Sequence, residues 1–143
     1  MIRLEDKGRK YKRFRPSPSE KIQLANSGLQ WVLSSNVSAI GMDGEDLIVR
    51  FHNGSMYRYI GAGKLYDDML KSNSKGHFVW VKLRRPKVPY EKIGALRFTG
   101  DQEVSDDDLF NLIDTDGLET MQKLKDFGLF IPELASDLGL FRP

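Results

Sequence analysis

Leu47, Val49 and Phe51 alternate with Ile48, Arg50 and His52, and Asn53-Gly54 follows at once. A period of two marks a strand with two distinct faces. Asn-Gly is a strong signal for reversal into an antiparallel partner. Residues 47–52 and 55–60 are therefore expected to form one hairpin. Residues 37–42 read as a further strand, joined to it by a turn at Asp43-Gly44. The expected fold is α+β: a small three-stranded antiparallel meander packed by one or two helices, with a helical C-terminal appendage.

Helical signals surround this meander. Ser17 is placed to cap a short helix with Pro18 at its first position and Glu20 as the capping-box acid. Residues 29–33 read as an extended lead-in to the fold. After Gly61-Ala62-Gly63, the pairs Leu65 with Met69 and Tyr66 with Leu70 have the spacing of one helix. Residues 77–83 read as a second helical or extended stretch. Ser105 is a good cap for Asp106-Asp107-Asp108, acids that favour a helix start. Thr115 is expected to begin a separate helix that stops at Gly128. These signals divide the chain into a basic arm and lead-in (1–33), an α+β domain (34–99) and an acidic helical appendage (100–143).

A one-residue slip in the hairpin changes what Tyr57 and Tyr59 are for. If Asn53-Gly54 is a two-residue turn, Arg50 faces Tyr57, and the two rings share a face with Arg50 and His52. That would be a base-stacking platform. If the loop is His52-Asn53-Gly54 with Gly54 left-handed, Val49 faces Tyr57 and Leu47 faces Tyr59. The rings then join the apolar face. The second register makes the larger core and is favoured, leaving Arg50, His52 and Arg58 facing away from that core.

The formal net charge of +2 hides a division. Residues 1–99 carry 19 Lys and Arg against nine Asp and Glu, a net of +10; residues 100–143 carry three against 11, a net of −8. A basic body attracts phosphate. The acidic part is expected either to repel nucleic acid or to fold back on the basic part and compete for it. Within the arm, Tyr11 and Phe14 lie among basic residues, a mixture suited to RNA because charges meet phosphates and rings stack on bases. The candidate nucleic-acid-binding residues are Arg9, Lys10, Lys12, Arg13 and Arg15 in the arm, Arg50 and Arg58 on the sheet, and Arg84, Arg85 and Lys87 after it.

Catalytic and metal signals are weak. Gly61-Ala62-Gly63-Lys64 lacks the earlier glycine and the following Ser or Thr of a phosphate loop. Asp114-Thr115-Asp116-Gly117 lacks the remaining ligands of a calcium loop. The chain has no cysteine, and His52 and His77 have no metal-ligand spacing. No catalytic residue, metal or cofactor is expected. No apolar run approaches the ~20 residues of a membrane helix, and the first residues do not read as a secretory signal. A cytoplasmic location, in a bacterium or a phage-infected host, is expected.

Ser34-Ser35-Asn36-Val37, Ala39-Ile40-Gly41-Met42-Asp43, the alternating Leu47, Val49 and Phe51, Gly54, and Tyr57-Arg58-Tyr59 occur in a recognisable order. Leu65, Tyr66 and Leu70, then Ser74-Lys75-Gly76 and Phe78, extend it. Over residues 34–93 this pattern resembles the KTSC domain family, named for the C-terminus of some lysyl-tRNA synthetases and found also as stand-alone bacterial and phage proteins. Val79 and Trp80 depart from the family's Asn after its aromatic pair. The resemblance implies RNA binding. Two functions are expected from the charge distribution, the first with support from this resemblance. One is a non-enzymatic accessory protein that binds nucleic acid, RNA first, through the basic arm and a basic sheet face. The alternative is a phage or bacterial interaction module that docks on a protein partner through residues 105–141.

Overall fold

A computed structural model describes residues 15–34 and 36–126. Helix α1 (Pro18–Asn26) begins as its sequence signals require. Ser17 Oγ accepts from the Glu20 amide at 3.3 Å, and Glu20 Oε1 accepts from the Ser17 amide at 2.8 Å. The chain then runs through β1 (Leu29–Trp31), β2 (Val37–Asp43), β3 (Asp46–Phe51) and β4 (Ser55–Tyr59). A short 3-10 turn (Gly63–Leu65) leads into α2 (Tyr66–Lys71). Helix α3 (Lys75–Val79) widens into a π-type turn over Trp80–Arg84. Strand β5 (Tyr90–Ala95) and helix α4 (Asp106–Asp126) complete the order.

The sheet has five antiparallel strands in the order β1-β2-β3-β4-β5, two more than the meander expected. The three central strands are those predicted. β1 is only three residues long, too short to show alternation. β5 lies mostly exposed along the sheet edge, so neither of its faces demands a regular apolar pattern.

The hairpin takes the three-residue register. Leu47 pairs with Tyr59 and Val49 with Tyr57. Gly54 has φ +91°, a backbone region that L side chains rarely adopt, and its amide bonds to the Phe51 carbonyl at 3.0 Å. Tyr57 and Tyr59 are buried at 7% and 0% exposure. They join Leu47, Val49 and Phe51 in one core, covered by Met69 of α2, Phe78 and Val79 of α3, and Leu109, Phe110 and Ile113 of α4. A bulge between Val37 and Ala39 shifts the alternation of β2, so that Val37 and Ile40, three positions apart, face this same core.

The opposite face is also covered. Leu24 of α1 packs with Leu29, Ala39 and Ile48, and Leu96 and Phe98 lie against them. This corrects the expectation that Arg50 and His52 remain open to solvent. Both are fully buried, because the segment after β5 folds over that face. Arg50 bonds through Nε and Nη2 to the Leu96 carbonyl at 2.9 and 2.6 Å, and through Nη2 to both Asp101 carboxylate oxygens at 2.8 and 2.7 Å. Its Nη1 donates to Ser38 Oγ at 2.5 Å, and its guanidinium lies 4.6 Å from the Phe98 ring centroid.

Helix α4 also departs from expectation. It is one helix of 21 residues, not two separated at Thr115. Ser105 caps it as predicted, accepting from the Asp108 amide at 3.1 Å. Gly117, within this helix, serves packing: a Cβ there would collide with the Trp80 ring. Trp80 is itself buried. Gly117→Ala should gain ~1 kcal/mol of helix propensity but force the ring aside at a cost of ~1–3 kcal/mol. A net loss is expected, read as a lower urea midpoint; an unchanged or higher midpoint would show that the ring yields freely.

Candidate nucleic-acid interface

The six candidate cations among the described residues do not form one surface. Arg9, Lys10, Lys12 and Arg13 lie outside the described residues, while Arg15 is exposed. Arg50 is withdrawn as a phosphate contact, since its side chain is 0% exposed and held by Asp101. Arg58 is partly exposed but sits in a carboxylate pincer, with Nη2 at 2.9 Å from Asp43 and Nη1 at 3.1 Å from Asp46. The hydrogen bond it donates to Asp43, then that to Asp46, raises its pKa further and favours its charge. Its positive field is largely answered from within the chain.

Among the described candidates, Arg84, Arg85 and Lys87 come together. The π-type turn at Trp80–Arg84 closes with the Arg85 amide bonded to the Trp80 carbonyl at 2.7 Å. Lys87 then takes φ +60°, in the left-handed region. The Lys87 amide bonds to the Arg84 carbonyl at 3.1 Å, and the Val88 amide to the Leu83 carbonyl at 2.9 Å. This tight reversal leaves Arg85 and Lys87 exposed. Arg85 reaches back over the Trp80 ring, 5.7 Å from its centroid. Arg84 is more constrained. Its Nε and Nη2 meet Asp114 of α4 at 2.6 and 2.9 Å, a two-point pair, and its guanidinium lies 4.4 Å from the Phe110 ring centroid.

Next to these cations stands Tyr90, which the charge-based candidates omit. Half exposed at the start of β5, it packs inward against Tyr57, Tyr59 and Phe110 at centroid distances of 5.7, 5.6 and 6.3 Å. Its sequence signal is Pro89-Tyr90 shortly after Lys87, an aromatic beside cations at a rigid turn.

The division of charge along the chain acquires a structural meaning here. Acids from beyond residue 100 pair with cations before it: Asp101 with Arg50, Asp114 with Arg84, and Asp106 with Lys92 at 3.0 Å. Asp106 also accepts from Tyr57 OH, Ser55 Oγ and Asn53 Nδ2 at 2.7, 2.6 and 2.6 Å. Burial opposes its charge, but the hydrogen bonds from Ser55, Tyr57, Lys92 and Asn53 together hold its carboxyl well below the usual range.

The family model of the KTSC domain matches residues 33–85. Residues 33–85 are a KTSC domain. No curated protein matches the chain. The KTSC domain contains β2, β3, β4, α2, α3 and the π-type turn, and ends at Arg85. Helix α1, β1, β5 and α4 lie outside the match and complete the sheet edges and the core around it. The cation corner is therefore a seam. Arg84 and Arg85 close the KTSC domain, while Lys87, Tyr90 and Asp114 belong to the segment C-terminal to it. Among the described residues, no group of three or more His, Cys, Asp or Glu could hold a metal ion, and no helix is long and apolar enough to cross a membrane.

His52, in the turn after β3 inside the KTSC domain, gives the fold a pH response. Its Nε2 lies 2.5 Å from the Ser34 carbonyl, which can only accept, so Nε2 carries a proton and donates it. Burial depresses its pKa from 6.5 to about 4, against the pull of the Ser34 hydrogen bond and with a push from Arg50. The unfolded chain binds a proton below the ordinary value and the folded chain does not until pH falls through the lower one. Stability is therefore expected to fall by about 3 kcal/mol as pH drops across that window. Urea unfolding from pH 7 to pH 4 measures it. Most of the slope should be lost in His52→Gln, the remainder belonging to His77, whose pKa burial also lowers; a wild-type profile flat over this range would contradict the buried neutral ring.

Proposed function

We propose that the protein binds single-stranded nucleic acid, RNA first, without catalysis, using the corner formed by Arg84, Arg85 and Lys87 together with the basic arm. The observation that carries this reading is the juxtaposition of two exposed cations, Arg85 and Lys87, with the half-exposed ring of Tyr90. Phosphates take the charges, and an unstacked base takes a ring. The internal pairing of Arg50, Arg84 and Lys92 reduces the basic field but leaves Arg85 and Lys87 exposed.

The test is a titration of a fluorescent single-stranded RNA at two salt concentrations, with wild type and the Arg85→Glu, Lys87→Glu double variant. Both positions are exposed, so the fold should survive the change. The variant is expected to bind at least about tenfold more weakly and with a salt slope lower by about two, one for each lost phosphate contact. Identical binding by the two proteins would remove the corner from the interface.

A second reading, a protein partner docking on residues 105–141, is favoured by Leu118, which is 60% exposed on α4 amid acids. In that case RNA would not bind, and Leu118→Lys would disrupt a protein complex.

A further inference from the structure

Between the π-type turn, the start of β5 and α4 lies an open cleft of about 560 Å³, lined by Leu83, Arg84, Lys87, Val88, Tyr90 and Asp114. Its size falls within the ~300–1,000 Å³ of small-ligand sites. Backbone irregularities converge on it: the π-type turn at Trp80–Arg84, the left-handed Lys87, and Pro86 and Pro89 on either side of that lysine. Single π-turns and left-handed non-glycine residues carry a conformational cost and concentrate at functional sites. Here they aim a lysine at the rim of a cleft and fix the loop that holds it.

The walls differ in chemistry. Tyr90 supplies an aromatic surface that cannot swing freely, because its inner side packs on Tyr57, Tyr59 and Phe110. Arg84 supplies a guanidinium whose direction is set by Asp114 and Phe110. Lys87 supplies an exposed ammonium at the rim. The Asp114 carboxylate repels a phosphate from the Arg84 end of the cleft and accepts from N–H groups. We propose that the cleft takes one unstacked nucleotide of a bound single strand, with its base against Tyr90 and its phosphate at Lys87. This rests on the nucleic-acid reading and adds to it a discrete, preorganised pocket. A charged surface would bind the strand equally well without Tyr90.

The experiment titrates the full chain with each of the four ribonucleoside monophosphates, with inorganic phosphate, and with single-stranded RNA. It uses wild type, Tyr90→Leu, Tyr90→Phe and Lys87→Asn. Leucine keeps an apolar side chain against the inner rings, and asparagine tolerates the left-handed backbone while removing the charge. Thermal melting checks each fold. Wild-type amide signals of residues 83–90 should shift with the monophosphates, and more than with inorganic phosphate. Tyr90→Leu should weaken RNA binding about tenfold with the salt slope unchanged. Tyr90→Phe should bind as wild type does, and Lys87→Asn should lower the salt slope by about one. If Tyr90→Leu folds and binds RNA as tightly as wild type, the pocket is refuted while RNA binding stands. If monophosphates bind and RNA does not, the strand-bound nucleotide is refuted. If neither binds, the nucleic-acid reading falls with the pocket. Should Tyr90→Leu fail to fold, the wild-type shifts and the Lys87→Asn slope decide alone.

Discussion

Asp101→Asn is expected to destabilise the protein by about 3–5 kcal/mol, the usual consequence of removing one member of a buried ion pair. The Arg50 side chain is 0% exposed and that of Asp101 6%. Burial lowers the arginine's pKa even though Asp101 favours its charge, and a guanidinium does not surrender its proton within the working range. Without the carboxylate it would remain charged and buried, still bonded to the neutral Leu96 carbonyl and Ser38 hydroxyl. Asp101 also accepts from the Phe98 amide at 2.6 Å, so the segment that closes the second face would loosen too. Replacing both partners, as Arg50→Met with Asp101→Leu, should recover much of the loss. Urea midpoints of the three proteins measure this; a loss below about 1 kcal/mol in Asp101→Asn would mean that water reaches the pair.

Tyr59→Ala should cost about 3–5 kcal/mol, as for other large aromatic truncations in a core. The two tyrosines of the hairpin should then separate under a milder change. Tyr57 OH donates to the Asp106 carboxylate at 2.7 Å. Tyr59 OH is buried and has no hydrogen-bond partner among the described residues. Tyr57→Phe should therefore cost about 1.5–3 kcal/mol, while Tyr59→Phe should be neutral or stabilising. Thermal and urea unfolding of the pair compare them directly. Equal losses in both phenylalanine variants would show that the Tyr59 hydroxyl is satisfied. Wild-type stability in Tyr59→Ala would contradict the register itself.

The hairpin was legible because its signal is local and strong. Alternation at Leu47, Val49 and Phe51 and the size of the resulting core decided the register once Gly54 was allowed a left-handed backbone. Ser17, Glu20 and Ser105 announced their helix starts for the same local reason. What was not legible depends on partners distant in sequence. Arg50 looks like a surface cation until Asp101, 51 positions later, folds over it. Thr115 looks like the cap of a separate helix, yet α4 runs through it and packs Gly117 against Trp80. β5 carries no alternation because the sheet edge demands none. The candidate site divided along the same line: charge alone nominated Arg84, Arg85 and Lys87, whereas Tyr90 and Asp114 join them only through the fold.

Because Asp101, Asp106, Leu109, Phe110 and Ile113 belong to the folded core, deleting residues 101–143 would test folding rather than charge. The interface is better read on the intact chain. Amide chemical shifts recorded while a short single-stranded RNA is added at low salt test the central claim most directly. Shifts concentrated at residues 83–90 and near Asp114, diminishing as salt is raised, are the predicted result. Absence of shifts at residues 83–90, whether the RNA perturbs another surface or none, would contradict it.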